Sequence, residues 1–169
     1  MVSVTELLVA EGFIDDAWFT EYARTRGTFI HAARHLYDMG ELDEDDLDPV
    51  LVPYLSAWKK FMGDSKFVVI ASEVRLYNEI YQFHGKPDAI GLLNGLPAIV
   101  DCKSGTIEPW VALQMAGYEI LKGTPHKRIA VRLKSDGKYS IKEFNNRQDR
   151  QIFMAALACY QWKRNNGIK

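Results

Sequence analysis

Asn94-Gly95 is the strongest local constraint on how this chain can fold. Both residues accept the left-handed backbone that a two-residue hairpin turn demands. Leu92 and Leu93 lead in, and Leu96 and Pro97 lead out. The turn predicts two antiparallel strands, Asp88 to Leu93 and Pro97 to Lys103. Phe67 to Ala71 is a β-type apolar run, and Tyr77 to Phe83 alternates like a strand, with His84-Gly85-Lys86 as the turn after it. Ile129 to Leu133 and Tyr139 to Phe144 form a further strand pair around Asp136-Gly137.

Helical periodicity fills the rest. Asp15 and Asp16 can cap a segment through Trp18, Phe19, Tyr22 and Ala23, and Gly27-Thr28 opens a second pattern that stops at Met39-Gly40. Leu51 to Met62, Glu108 to Leu121 (with Pro109 in the first turn) and Asn146 to Arg164 are the other helices. The acidic run Glu41 to Asp48 reads as a solvated loop. The expected fold is a mixed α/β (α+β) single domain over residues 1–169, with a helical region at 1–64 and a core at 65–169. Its 47% hydrophobic content supplies a core for such a domain.

The formal net charge of −1 gives no global basic field. Binding to nucleic acid would therefore need local basic patches. Cys102 and Cys159 are the two cysteines. They exclude a disulfide framework and a four-cysteine metal or iron–sulfur site within one chain. No apolar run approaches the length of a membrane helix, and the first residues lack a signal-peptide pattern. A cytoplasmic setting without membrane association is the expectation.

The chemistry concentrates in Gly85-Lys86-Pro87-Asp88 and Ile99-Val100-Asp101-Cys102-Lys103. Strand periodicity puts Asp101 and Lys103 on one face with Cys102 pointing away. Pairing across the hairpin can bring Asp88 near Asp101. Two carboxylates and a cation would then converge at one end of a sheet. Clustered hard oxygens suit Mg²⁺ or Mn²⁺, and a nearby lysine can orient a water or neutralise developing charge.

Pro87-Asp88, a gap of twelve residues, and Asp101-Cys102-Lys103 resemble the PD-(D/E)XK nuclease superfamily. Gly27-x-x-x-His31, Gly85-x-x-Asp88, Asp101-x-Lys103 and Gln114-x-x-x-Tyr118, in that order, resemble its RecB-like exonuclease branch. The resemblance implies a restriction-endonuclease-like αβββαβ core after an N-terminal helical region. It implies Asp88 and Asp101 as metal ligands, with the backbone carbonyl of Cys102 and with His31 from the helical region. Lys103 would be the catalytic lysine, supported by Gln114 and Tyr118. Glu73 would either bind a second metal or support the ligands from behind. The implied protein is a Mg²⁺- or Mn²⁺-dependent DNA exonuclease acting on linear double- or single-stranded DNA in recombination, repair or phage DNA processing, bacterial or phage-encoded. Cys102 departs from the aromatic or aliphatic residue the branch often carries there, and no iron–sulfur cluster is expected.

Alternatives stand beside this reading. A structure- or sequence-specific endonuclease shares the fold, and a non-catalytic nucleic-acid-binding module could have kept it. Asp88 alone is a common turn residue, and Asp101 with Lys103 an ordinary ion pair. However, a strand as apolar as Ala98-Ile99-Val100 should be interior, where carboxylates need partners. His31 and His35 have the spacing of a zinc pair but lack the intervening glutamate of a zinc protease. Trp18, Phe19, Trp58 and Phe61 read as core. Arg24, Arg26, Arg34, Arg75 and Lys86 flank the site as candidate phosphate contacts or solvated surface.

Overall fold

The computed structural model describes residues 1–15 and 20–168. In chain order its elements are β1 (Val2–Ser3), α1 (Val4–Ala10), α2 (Glu21–Asp38), α3 (Val52–Ser65), β2 (Phe67–Ser72), β3 (Leu76–Asn78), β4 (Phe83–Gly85), β5 (Ala89–Leu93), β6 (Leu96–Lys103), α4 (Val111–Lys122), β7 (Lys127–Leu133), β8 (Tyr139–Glu143) and α5 (Gln148–Asn165). Five strands form one sheet in the order β2-β5-β6-β7-β8, and three form a small sheet, β1-β4-β3. β2, β5 and β6 pair antiparallel, and β7 returns parallel to β6 after α4. The sequence α3-β2-β5-β6-α4-β7 is the expected αβββαβ order, with the β3–β4 hairpin inserted between β2 and β5.

Turn chemistry explains the register. Asn94 and Gly95 have φ of 49° and 80°, so both occupy the left-handed region. Leu93 pairs directly with Leu96 across that turn. A parallel return to β6 needs a long crossover, which α4 provides. α4 stops at Gly123, whose φ of 69° closes the helix end.

β6 is buried on both faces, which accounts for its continuous apolar run. Ile99 packs in a cluster with residues of α1, α4 and α5, including Leu7, Met115 and Phe153. Ala98, Val100 and Cys102 pack in a second cluster with Ile30 of α2 and Trp58 and Phe61 of α3. Trp58 and Phe61 are thus core, as their spacing implies, and both rings lie against Phe67 at centroid distances of 6.0 and 5.7 Å.

Several local expectations are corrected. Gly27-Thr28 does not open a helix: α2 begins at Glu21, where the Thr20 hydroxyl accepts from the Ala23 N–H at 3.2 Å. Gly27 lies inside it, and the Thr28 hydroxyl donates back to the Arg24 carbonyl at 3.1 Å. The run Tyr77 to Phe83 is not one strand but β3, a turn at 79–82, and β4. His84 and Gly85 belong to β4 rather than to a turn. Their partners are the distant β1 and the adjacent β3, so local alternation could not separate the two strands. β1 and α1 were not anticipated, although Ser3 and Glu6 form a capping box that starts α1. Of the first proposed helix, Asp16, Trp18 and Phe19 lie outside the described residues.

Gly85 is required by a close approach. A Cβ there would stand 2.8 Å from Cε1 of Tyr118 and 2.9 Å from Cδ1 of Leu121. Gly85→Ala is expected to destabilise the fold by about 1–3 kcal/mol through overpacking, measurable by urea unfolding.

Candidate active site

β6 sets the geometry. Because Ile99 faces α4, strand alternation turns Asp101 and Lys103 the same way. The register Ala89 to Val100, carried one residue further, sets Asp88 opposite Asp101. The two aspartates are 5% and 3% exposed. Asp88 Oδ2 accepts from the Cys102 backbone N–H at 2.6 Å, and Asp88 Oδ1 lies 3.0 Å from His31 Nδ1. Asp101 Oδ2 lies 2.7 Å from Lys103 Nζ.

A chain of bonds then runs from Lys103 into α4. Lys103 Nζ donates to Gln114 Oε1 at 3.0 Å, and Gln114 Nε2 donates to the Tyr118 hydroxyl at 3.1 Å. Gln114 and Tyr118 sit one helical turn apart, which is why both can serve one lysine. The Lys103 ammonium also lies 5.0 Å from the centroid of the Trp110 ring. That contact was not anticipated: Trp110 precedes α4 and carries no motif.

Glu73 follows β2 and holds a left-handed φ of 56°, uncommon for a residue with a side chain. Its N–H donates to the Asp88 carbonyl at 3.0 Å. Its carboxylate receives Arg34 at 2.8 Å and Lys86 at 2.6 Å, and lies 3.7 Å from His31 Nδ1.

Arg34 is no phosphate contact. It is 1% exposed. It donates to Glu73 and, at 2.9 Å, to the Asp88 carbonyl, and it is ion-paired with Asp38. Asp38 also accepts from Trp58 Nε1 at 2.7 Å and from the Ser72 hydroxyl at 3.0 Å. His35 is bonded to Ser72 at 2.9 Å and is not among the clustered candidate ligands. Sequence reading missed this buried network behind the site. Its one visible signal was the Arg34–Asp38 spacing on the helix face that carries Ile30 and Ala33.

Electrostatics follow from packing cations and anions together. The carboxylate of Asp88 lifts His31 to about 10, against the opposing effect of its burial. Burial pushes Asp88 upward, but His31, Arg34 and Lys103 outweigh it and hold Asp88 well below the usual carboxylate range. Burial raises Asp101, with Asp88 adding repulsion, against the pull of Lys103. Burial likewise raises the Tyr118 hydroxyl and the Cys102 thiol.

Among the described residues, His31, Glu73 and Asp88 each offer a ligand atom, all within 4.8 Å of one another. Asp101 is outside that trio and pairs with Lys103 instead. The structure thus brings His31, Glu73 and Asp88 into one group and Asp101, Lys103, Gln114 and Tyr118 into an adjoining one. Two carboxylates and an imidazole suit a hard or borderline divalent cation. Asp101 is a neighbouring buried anion whose negative charge such a cation would offset.

Two surface cavities meet at His31. One of about 780 Å³ is bordered by Arg26, Lys103, Ser104 and Trp110. The other, about 760 Å³, is bordered by Gly27, Glu73, Lys86 and Asp88. Arg26 stacks near the rings of Tyr22 and Tyr54, at 5.6 and 5.9 Å. Among the described residues, no helix is long and apolar enough to cross a membrane.

No protein-family model and no curated protein sequence matches the chain. Among solved structures, a presumed exonuclease from Eubacterium rectale is 13% identical with a TM-score of 0.56, over 98% of this chain and 81% of that one. An alkaline exonuclease from Laribacter hongkongensis is 14% identical with a TM-score of 0.47, over 98% and 93%; the same protein in complex with dAMP gives 15% and 0.47. The first of these likenesses extends over almost the whole chain, and the mixed α/β fold described above is one that this chain shares with the Eubacterium rectale protein.

Proposed function

We propose that this protein is a metal-dependent DNA nuclease of the RecB-like PD-(D/E)XK type, acting as an exonuclease. The observation that carries the reading is the convergence of Asp88, Asp101 and Lys103, with Lys103 fixed by Gln114 and Tyr118. The exonuclease name of the Eubacterium rectale protein, whose fold is similar, is consistent with it. His31, Asp88 and Glu73 would hold a Mg²⁺ or Mn²⁺ ion, with Asp101 and the Cys102 carbonyl beside it. Such an ion stabilises charge on a phosphate and increases the acidity of a bound water.

The side chains divide the remaining work. Asp101 and Gln114 hold the Lys103 ammonium at a defined point, where it can orient the attacking water or offset charge on the phosphate. Tyr118 stays protonated and keeps Gln114 oriented with its carbonyl toward the lysine. Arg34 anchors Glu73 and the Asp88 backbone, so the ligand group is positioned before substrate arrives.

A time course on linear duplex, covalently closed circular and single-stranded DNA tests the reading. Loss of linear substrate with Mg²⁺ or Mn²⁺, protection by EDTA, and an intact circle are expected. Cleavage of the circle would make it an endonuclease. Binding without cleavage under every metal condition would leave a non-catalytic module.

A further inference from the structure

The β3–β4 hairpin stands outside the main sheet and presents two different faces. On one, Phe83 is buried and Gly85 abuts Tyr118. On the other, the antiparallel register sets Tyr77 opposite His84, with ring centroids 5.8 Å apart. Carried one residue further, the same register sets Arg75 opposite Lys86. Tyr77 and His84 share one face by strand alternation, and Arg75 and Lys86, just beyond the strand ends, form a basic row that borders one cavity with His84.

Neighbouring basic side chains are costly for a structural surface. Among the described residues Glu73 offsets the charge of Lys86, Glu6 is committed to the Ser3 backbone, and no carboxylate pairs with Arg75. Tyr77 is 58% exposed, so its ring lacks the burial that would explain it as packing. The Lys86–Glu73 pair joins the basic row directly to the candidate ligand group.

We propose that this face is a binding track for single-stranded nucleic acid, with Tyr77 stacking on a base and Arg75 and Lys86 contacting phosphates. An exposed aromatic beside cations is the general arrangement for sequence-tolerant single-strand binding. In a chain with net charge −1 such a patch must be local. The proposal rests on the nuclease reading and narrows it: the strand in the site continues over the hairpin unpaired. A duplex would hold its bases stacked on each other and leave the Tyr77 ring without a partner.

The test is fluorescence anisotropy in EDTA, where no cleavage is expected, with a short fluorescein-labelled oligothymidylate and a duplex of equal length. Tyr77→Ala is expected to weaken oligothymidylate binding about fivefold or more, with little change for the duplex, and Tyr77→Phe to restore it. Arg75→Ala should reduce the slope of log affinity against log salt by about 0.7. Unchanged oligothymidylate binding in Tyr77→Ala overturns the proposal, as does an equal loss for single strand and duplex. Because these measurements need no turnover, they separate the two ideas. Hairpin-dependent binding in a protein that never cleaves DNA would reject the nuclease reading alone.

Discussion

Lys103→Ala is expected to remove DNA cleavage, with a rate loss of about 10²–10⁴, while the protein still folds. The lysine ammonium contacts Asp101 and Gln114, and in the proposed reaction it would offset charge developing on a phosphate. Alanine leaves the two aspartates adjacent with one cation fewer. Asp101, already raised by burial, can respond by taking up a proton instead of unfolding the site. Circular dichroism and thermal melting should therefore show a folded variant, and a gel time course should show product forming about 10²–10⁴ times more slowly. Full activity in the folded variant would sink the assignment of Lys103. Gln114→Ala, which frees the ammonium without removing it, should lose less.

The second large effect is on metal affinity. His31 in the metal-free protein is lifted to about 10 by Asp88, so near neutral pH it is an imidazolium holding the carboxylate. A metal needs the neutral imidazole, so binding must expel a proton. Apparent affinity should then rise about tenfold for each pH unit below about 10, more than a thousandfold from about 6.5 to 10, and level off above it. Calorimetry in buffers of different ionisation enthalpy should report about one proton released per ion. The metal-free protein has the opposite trend. Its folded-state His31 pKa is above the unfolded value, so the stability from this pair is full below about 6.5 and is lost as pH rises toward 10. Melting in EDTA across that range checks the sign. A pH-independent metal affinity would remove His31 from the ligand group.

The legible part of the site was the part encoded by short-range rules. Asn94-Gly95 fixes the hairpin, the hairpin aligns Asp88 with Asp101, and strand alternation turns Lys103 the same way. Helical spacing then pairs Gln114 with Tyr118. What could not be read depends on contacts between distant segments. β1 exists because it pairs with β4, 81 residues away in sequence. Arg34 looks like an exposed cation until α2 is laid against β2. Glu73 showed its identity but not its left-handed backbone, from which its N–H reaches the distant Asp88 carbonyl. Trp110 gave no signal because its role is defined only by where the Lys103 side chain ends.

β6 divides its residues between two neighbours, with Ile99, Asp101 and Lys103 toward α4 and Ala98, Val100 and Cys102 toward α2 and α3. A slip of one position in its pairing would exchange these sets. An aspartate and a lysine would enter the apolar layer, and a thiol and a valine would occupy the site. Misregistered molecules would therefore be both unstable and inert, with no partly active intermediate between them. The spacing from Asp88 to Asp101 can thus vary only in steps that preserve parity, and the Asn94-Gly95 turn, which touches no substrate, governs the chemistry as strictly as the aspartates do.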